Sequence, residues 1–546
     1  MEETNAGKIR RRFGQVESIR LDYESLRQDI ADLVAPRSSN VKGDETPGKK
    51  KGLEIYDGTP RSACQQHADG LFGYLCSPSM EWFRLRIARR EINQIPEVKQ
   101  YLQDSAEQLY YAFNRSNFYA VTPEYFFDGC SIGTAVMYAE EDVGNDRVVF
   151  KVIDPNESYI AVNRFGDVDV LFRKYKMTAR NAYSQFDNVS EIIKEAAEKS
   201  PETEFEFLHA VYPNDKRQYD KVDSRNKPFK SVYLEKTGDN KILNENGYNL
   251  FPYSTWRYRV NSGEIYGRSP AADAIVEIFG INQISKTMYQ ASQLAVEPAY
   301  NVPKEMRGKV RIKPRGKNYY DEPDRVVTPV HVPSSLPAGE NQQDRLQNSI
   351  EKHFHIEFFM LLSRAAMEGR QLTVPQVMEM QGEKGAMLGA VVGRLNGDFF
   401  DNTIDRVFQI ETDAGRMPPI PQVLYERGET NIEVEYLGPL AQAQKQLVKS
   451  QSITRSIEMI APMAQVRPEV MDRINFDVVV DKILDSNNFP QDAIISVDDA
   501  NIARQARAQQ MQAMQQAEMM ERAAKAAPGV SKAVEPNSII DKMAGQ

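Results

Sequence analysis

Cysteine, histidine and tryptophan are scarce in this chain, at three, five and two of 546 residues. Cys64, Cys76 and Cys130 form no CxxC pair, so neither a zinc knuckle nor a disulfide framework is expected. With no secretory leader pattern after Met1, they point to a reducing cytoplasm. The GxxxxGK[ST] phosphate loop, the GxGxxG fingerprint and the HExxH pair are all missing, which removes the readiest signatures of nucleotide-driven and zinc-hydrolytic chemistry. His353 and His355 stand two apart in a helical pattern, about 200° around its axis, and cannot converge on one ion from there. No transmembrane segment is expected either. The apolar run 385–393 is too short, and Lys384, Arg394 and Asp398 flank or interrupt it. Neither a cofactor nor a metal is therefore expected.

What the chain does have is long amphipathic helices around a proline-rich excursion. Ser269 can N-cap a helix with Pro270 in its first turn, and Ile275, Ile278, Ile281, Ile284 and Met288 follow at three- and four-residue steps, predicting a helix over 269–293. Steps of three drift around the axis, so neighbours on both sides are expected. A second helix over 340–363 carries Leu346, Ile350, Phe354, Phe358 and Leu362 four apart, a stripe nearly on one face. Each is roughly 35 Å long at 1.5 Å per residue. Between them, over 294–339, Pro298, Pro303, Pro314, Pro323, Pro329, Pro333 and Pro337 exclude a helix and favour short edge strands, a β-rich knob on a two-helix stalk.

The knob holds a basic run of Lys304, Arg307, Lys309, Arg311, Lys313, Arg315 and Lys317, against Glu305 alone. Alternation from 307 to 317 places these charges on one strand face, either to meet acidic surfaces or to keep an edge strand from mispairing. Asp321, Glu322 and Asp324 read as a solvated turn or as ion-pair partners. Beyond the second helix, residues 364–372 are a polar break: Arg364, Glu368, Arg370 and Gln371 surround Gly369, which offers a pivot of positive φ. A capping-box pattern from Thr373 to Gln376 then opens a helix to about 413. In it Gly382, Gly385, Gly389, Gly393 and Gly397 form one ridge, each costing about 1 kcal/mol that close packing of another backbone would offset.

Elsewhere the pattern predicts helices at 16–34, 60–76, 96–118 and 122–132, with a lysine-rich loop at 42–51. A switch toward period two predicts strands at 148–152, 168–174, 206–211 and 231–234. Leu208, Tyr212, Tyr233 and Trp256 read as core or sheet-face residues rather than a base-stacking platform. The last third returns to helix at 439–463, 468–473 and 500–526, where Met511, Met514, Met519 and Met520 read as soft packing residues, and a frayed tail follows Pro528 and Gly529. The fold class expected is α+β, predominantly helical.

Several of these strings, in this order, resemble the portal or head-to-tail connector proteins of short-tailed bacteriophages. They are Trp82, Phe83, Arg84 and Leu85; Asp154 and Pro155; Ser158 and Tyr159; residues 167–171; and Tyr266, Gly267, Arg268 and Ser269 at the head of the first stalk helix. Phe359, Met360, Leu361 and Leu362, residues 364–373 and the glycine-ridged helix continue it, over nearly the whole chain. The resemblance implies a portal fold: N-terminal helices and wing at 1–268, stem helices at 269–293 and 340–363, and clip at 294–339. The tunnel loop would be 364–372, the long wing helix and its following loop 373–430, the crown 431–499, the C-terminal barrel helix 500–527 and a flexible tail 528–546.

It also implies a dodecameric ring at one capsid vertex of the virion, assembled in the host cytoplasm and threaded by double-stranded DNA without sequence preference. The partners implied are the terminase motor, the major capsid and scaffolding proteins and a tail adaptor; no membrane is involved. Arg364, Glu368, Gly369, Arg370 and Gln371 would form the DNA-facing tip, and the basic run would serve docking or subunit contact. A net charge of −9 suits a tunnel through which DNA slides rather than sticks, and equally suits an ordinary acidic protein. A head-tail adaptor and a nucleic-acid enzyme with an unrecognised site stand as alternatives to this non-enzymatic role.

Overall fold

The computed structural model describes residues 5–36, 52–89, 91–218, 221, 223–236, 241–304, 307–311, 318–319, 326–329, 336–360, 388–428, 431–437, 474–480 and 497–526. The chain divides into two units, Met1–Gln451 and Ser452–Gln546. The lysine-rich loop, the acidic cluster, the helices expected at 439–463 and 468–473 and the tail lie outside the described residues.

In the first unit, α1 (Asn5–Leu33) starts eleven residues earlier than its periodicity suggested, and α2 (Thr59–Leu75) follows. Strand β1 (Phe83–Ile87) shows how the tryptophan string folds: Phe83, Leu85 and Ile87 are buried while Arg84 and Arg86 point outward, both ion-paired to Glu435. Trp82 just before it is fully buried, with ring centroids 4.6 Å from Phe83 and 5.0 Å from Phe400. Helices α3 (Pro96–Arg115) and α4 (Phe118–Ser131) wall this core, and α4 begins four residues before its expected start.

Strands β2 (Thr134–Asp142), β3 (Arg147–Ile153), β4 (Ser158–Val162) and β5 (Val168–Thr178) come next. Short helices α5 (Ala179–Gln185) and α6 (Glu191–Lys199), N-capped by Thr178 and Ser190, lead to β6 (Glu204–Pro213), β7 (Phe229–Glu235), β8 (Ile242–Tyr248) and β9 (Tyr253–Arg257). All pairings are antiparallel, in a three-stranded sheet ordered β3-β2-β9 and a five-stranded meander β4-β5-β6-β7-β8. The four expected strands are all present, each longer than its apolar centre. Helix α1 lays Ile9, Phe13 and Val16 on one face of the meander, against Phe172, Leu208 and Val232. Leu208 and Trp256 are buried, and Tyr212 and Tyr233 are half-buried on sheet faces, as expected.

Alternation turns His209 to the opposite face from Leu208. There its ring stacks on Tyr233 at 3.9 Å and hydrogen-bonds the Tyr253 hydroxyl at 2.7 Å and Ser231 Oγ at 2.9 Å. Two buried arginines explain another string. Arg20 donates to the carbonyls of Asn156 (2.8 Å) and Ser158 (3.0 Å), and Arg27 to that of Pro155 (3.3 Å). Their guanidinium groups lie over the Tyr159 and Tyr266 rings. Burial, then the neighbouring Arg20, lowers the Arg27 pKa to about 10, so it stays charged at neutral pH.

Helices α7 (Pro270–Asp273), α8 (Ile275–Val296), α9 (Leu336–His353) and α10 (Ile356–Phe359) carry the expected stalk, with β10 (Tyr300–Asn301) and β11 (Thr328–Pro329) between α8 and α9. Residues 388–395 are helical, pass through a π-helical turn at Asn396–Asp401 and continue as α11 (Asn402–Asp413). After α12 (Gln422–Arg427), β12 (Ile432–Tyr436) pairs antiparallel with β1, some 350 residues earlier in the chain.

In the second unit, α13 (Val497–Ala526) is a single helix, with Arg504 in a two-pronged ion pair to Asp477. Met511, Met514, Met519 and Met520 are 64–75% exposed, so no core of the described residues takes them up. Mixed helix and antiparallel sheet make the fold α+β. No described helix is long and apolar enough to cross a membrane.

Candidate functional site

Helix α8 starts from a crossing of two backbones. A Cβ on Gly267 would lie 2.1 Å from the Gly133 carbonyl oxygen, and one on Gly133, at φ +94°, would lie 2.4 Å from the Gly267 oxygen. Only glycine at both positions lets the strand entering the helix pair pass this close to the α4–β2 turn. Gly267 N donates to Thr134 Oγ1 at 2.9 Å, and Ser269 Oγ donates to the Ser131 carbonyl while accepting from Ala272 N. The Ser269 cap with Pro270 in the first turn is as read from the sequence, but the helix is stepped at Ala274 and runs on to Val296.

Three contacts set the register of α8 on α9. Glu277 meets His353 at 3.7 Å, a Cβ on Gly280 would touch Leu346 at 3.6 Å, and a Cβ on Gly339 would press on the Met288 sulfur. Ascending numbers on one helix meet descending numbers on the other, so the pair is antiparallel. The inward side of α8 buries Ile278, Ile281 and Ser285, with Ile284 and Met288 half-buried. Its outward side also shows large apolar residues, Val276 (76% exposed), Phe279 (49%), Tyr289 (60%) and Leu294 (47%), among exposed Gln283, Thr287 and Gln290.

Helix α9 ends earlier than its stripe predicts. His355 sits at φ +53°, in the left-handed region, and separates α9 from α10. The expectation of two histidines on one continuous helix is therefore corrected: His353 faces Glu277, while the His355 ring lies 6.1 Å from that of His67. Phe354 and Phe358 stay buried across the break because His67, Tyr74 and Phe359 surround them. His67 is fully buried with Nε2 3.1 Å from the Tyr258 hydroxyl, and burial, then His355, lowers its pKa to about 3.

A strap at residues 54–57 fastens both helices. Asn282 accepts from Tyr56 N (2.7 Å) and donates to the Glu54 carbonyl (3.0 Å). Asp57 Oδ2 accepts from Ser285 Oγ on α8 and from Gln343 and Gln347 on α9, at 3.1–3.3 Å. Burial pushes the Asp57 pKa up, but hydrogen bonds from Thr59, Gln347 and Gln343 outweigh it, and the carboxyl stays below its usual value. Thr59 two residues on donates to Asp57 Oδ1, but no local pattern marks the Oδ2 contacts, whose partners lie 228–290 residues away in sequence. Asp57→Ala leaves three donors without their acceptor and is expected to cost roughly 1–3 kcal/mol. Urea unfolding against the parent protein measures this, and an unchanged midpoint would remove the strap's structural role.

The sequence-predicted site residues fall on both sides of what is described. Arg364, Glu368, Gly369, Arg370 and Gln371 lie outside the described residues, as do Lys313, Arg315 and Lys317. Lys304, Arg307, Lys309 and Arg311 are exposed. They do not share a strand face: residues 307–309 form a turn with Gly308 at φ +79° and Arg307 N donating to the Lys304 carbonyl, and among the described residues between α8 and α9 only β10 and β11, two residues each, form a ladder. The glycine of the turn breaks the alternation that charge spacing suggested. On the glycine ridge, Gly382 and Gly385 lie outside the described residues. Gly393 and Gly397 are exposed with nothing within 4 Å of an added Cβ, so no other backbone among the described residues packs on them. Among the described residues, no three His, Cys, Asp or Glu side chains gather as a metal site.

Residues 6–495 match the family model described as bacteriophage head to tail connecting protein. The chain belongs to that family. It is 29% identical to a portal protein of Salmonella phage epsilon15, over 97% of this chain and 96% of the relative. It is 27% identical to a probable portal protein of Bordetella phage BPP-1, over 96% and 95%.

Proposed function

We propose that this chain is a portal subunit: copies form a ring at one capsid vertex, enclosing a channel through which double-stranded DNA enters during packaging and leaves at ejection. Similarity to two portal proteins along nearly the full length of each supports this over an adaptor role. The subunit does no covalent chemistry; terminase supplies the energy, and the ring first docks that motor and then a tail adaptor. In this reading residues 269–293 and 340–363, within which most of α8 and α9 fall, are the stem, residues 294–339 the clip, 364–372 the tunnel loop, 1–268 and 373–430 the wing, 431–499 the crown and 500–527 the barrel. Scaffolding and major capsid proteins are further partners of the ring, which takes its place at the portal vertex of the virion.

The observation that carries the ring is the outward apolar side of α8, which one subunit leaves in water and a neighbour would cover. The exposed methionines of α13 and the bare glycines 393 and 397 fit the same arrangement. Val276→Asp with Phe279→Asp is expected to leave the subunit folded but monomeric. Mass in solution with circular dichroism tests this, and rings of parental stability would overturn the α8 seam.

The clip residues Lys304, Arg307, Lys309 and Arg311, with Lys313, Arg315 and Lys317, are proposed to meet acidic surfaces of the motor, the adaptor or a neighbouring subunit. For the tunnel loop, Arg364→Ala with Arg370→Ala is expected to leave rings intact while changing DNA packaging or retention, because arginine reaches phosphate oxygens at any sequence. Lost rings, or intact rings with parental packaging and retention, would count against a DNA-facing loop.

A further inference from the structure

Alternation along its strands gives the five-stranded meander two faces, and different helices cover them. On β6, Leu208 lies under α1 with Phe13, while Phe207 beside it packs with Ala182 of α5 and Ile193 of α6. Between α1 and the strands β6 and β7 a cleft of about 260 Å³ opens, floored by Phe13, Leu208 and Leu234 and rimmed by Arg10, Glu17 and Lys236. Glu17 is ion-paired to Lys174 and Lys236 to Glu206, and Asp169 lies near Arg12. Lys8 and Arg10 are exposed and have no ion-pair partner among the described residues. On the far side of the sheet, Glu191, Glu195 and Glu198 follow steps of four and three and form one stripe of α6, with Ile192 beside it 55% exposed. Lys194, Lys199 and Arg180 pair with Glu191, Glu195 and Glu202, and Lys241 bonds the Val189 carbonyl, but Glu198 has no ion-pair partner among the described residues. Uncompensated charge is positive around the cleft and negative around Ile192.

Resting on the ring proposed above, we infer that the cleft receives Ile192 of a second copy, so that α1 of each subunit meets α6 of the next. A ring needs two different, complementary surfaces on each subunit, because a surface that pairs with its own copy closes a dimer and stops. The meander supplies such surfaces on opposite sides of one sheet, since neighbouring residues 207 and 208 point to the two of them. Ile192 leaves water for the apolar floor of the cleft, and the carboxylates of Glu195 and Glu198 bring Lys8 and Arg10 the charge they lack. Rim charges of this kind decide which surfaces meet more than how tightly they hold.

Two full-length variants test the contact: Lys8→Glu with Arg10→Glu reverses the rim of the cleft, and Glu195→Lys with Glu198→Lys reverses the α6 stripe. Each alone is expected to stay folded by circular dichroism and to need roughly tenfold more protein for half-assembly, because like charges then face one another. Mixed in equal amounts, the two are expected to regain parental assembly in rings that alternate them, which native mass spectrometry reads directly. Parental assembly by either variant alone, or no recovery on mixing, overturns the contact between α1 and α6 while leaving the ring in place. Failure of the parent chain to form rings overturns the ring and this contact with it. A second measurement covers a variant that does not fold. Cys64, Cys76 and Cys130 are buried, and nothing lies within 4 Å of a Cβ added at Gly14 beside the cleft, so Gly14→Cys with Lys199→Cys places the reactive thiols on the two surfaces. A short bismaleimide is expected to join such rings into a ladder of covalent multimers, and rings that yield no ladder overturn the contact.

Discussion

Gly267→Ala is expected to destabilise the first unit by more than about 4 kcal/mol, enough to unfold many proteins of ordinary stability. The added methyl would lie 2.1 Å from the Gly133 carbonyl oxygen and 3.0 Å from backbone atoms of Arg257 and Tyr258, so no side-chain rotation relieves it. The reciprocal change, Gly133→Ala, adds the strain of a left-handed φ to a backbone contact at 2.4 Å. Gly393→Ala is the control: it is helical, exposed and open, and the subunit is expected to gain about 1 kcal/mol. Denaturant unfolding of the three variants should separate them widely. Equal small effects at 133, 267 and 393 would mean that the backbone crossing does not hold the root of α8. Gly393→Ala also probes assembly, because a neighbour packed on that glycine would make the same change weaken rings while it strengthens the subunit.

Stability is expected to fall steeply on mild acidification. His67 and His209 are fully buried, and burial, with His355 and Arg173 respectively as the next cause, lowers both pKa values to about 3. An unfolded histidine titrates near 6.5, so between these values the unfolded state binds protons that the folded state refuses. Their contribution is fully present above about 6.5 and is lost as pH falls, at about 1.36 kcal/mol per pH unit each, or about 2.7 for the pair. Asp405 works in the opposite sense: burial and Asp401 raise its pKa to about 6, so the folded state gains as pH falls from there toward the ordinary carboxylate value. His67→Gln with His209→Gln keeps hydrogen-bonding groups but cannot titrate, and should flatten the profile between pH 6.5 and 4.5. Parallel profiles for parent and double variant would show that neither imidazole is held neutral.

Much of the fold follows from patterns that a few neighbouring residues set. Ser269 and Pro270 start a helix wherever an apolar run follows, Phe83, Leu85 and Ile87 alternate with two arginines and make a strand, and the apolar steps from Ile275 to Met288 mark the side of α8 that packs on α9. The order of such strings along the chain also carried the family, because it spans nearly every element at once.

Other features needed the folded chain. His355 takes a left-handed φ that its own side chain disfavours, held there between buried Phe354 and Ile356. Lys304, Arg307, Lys309 and Arg311 lose their common strand face to one turn at Gly308, and Arg20 and Arg27 go into the core because backbone carbonyls more than a hundred residues on are aimed at them. Asp57 reads as one surface acid among many until Ser285, Gln343 and Gln347 converge on it. Periodicity and capping record only what neighbours within a turn or two require; close backbone approach, buried charge and shared acceptors depend on partners that only the tertiary fold brings within 3–4 Å.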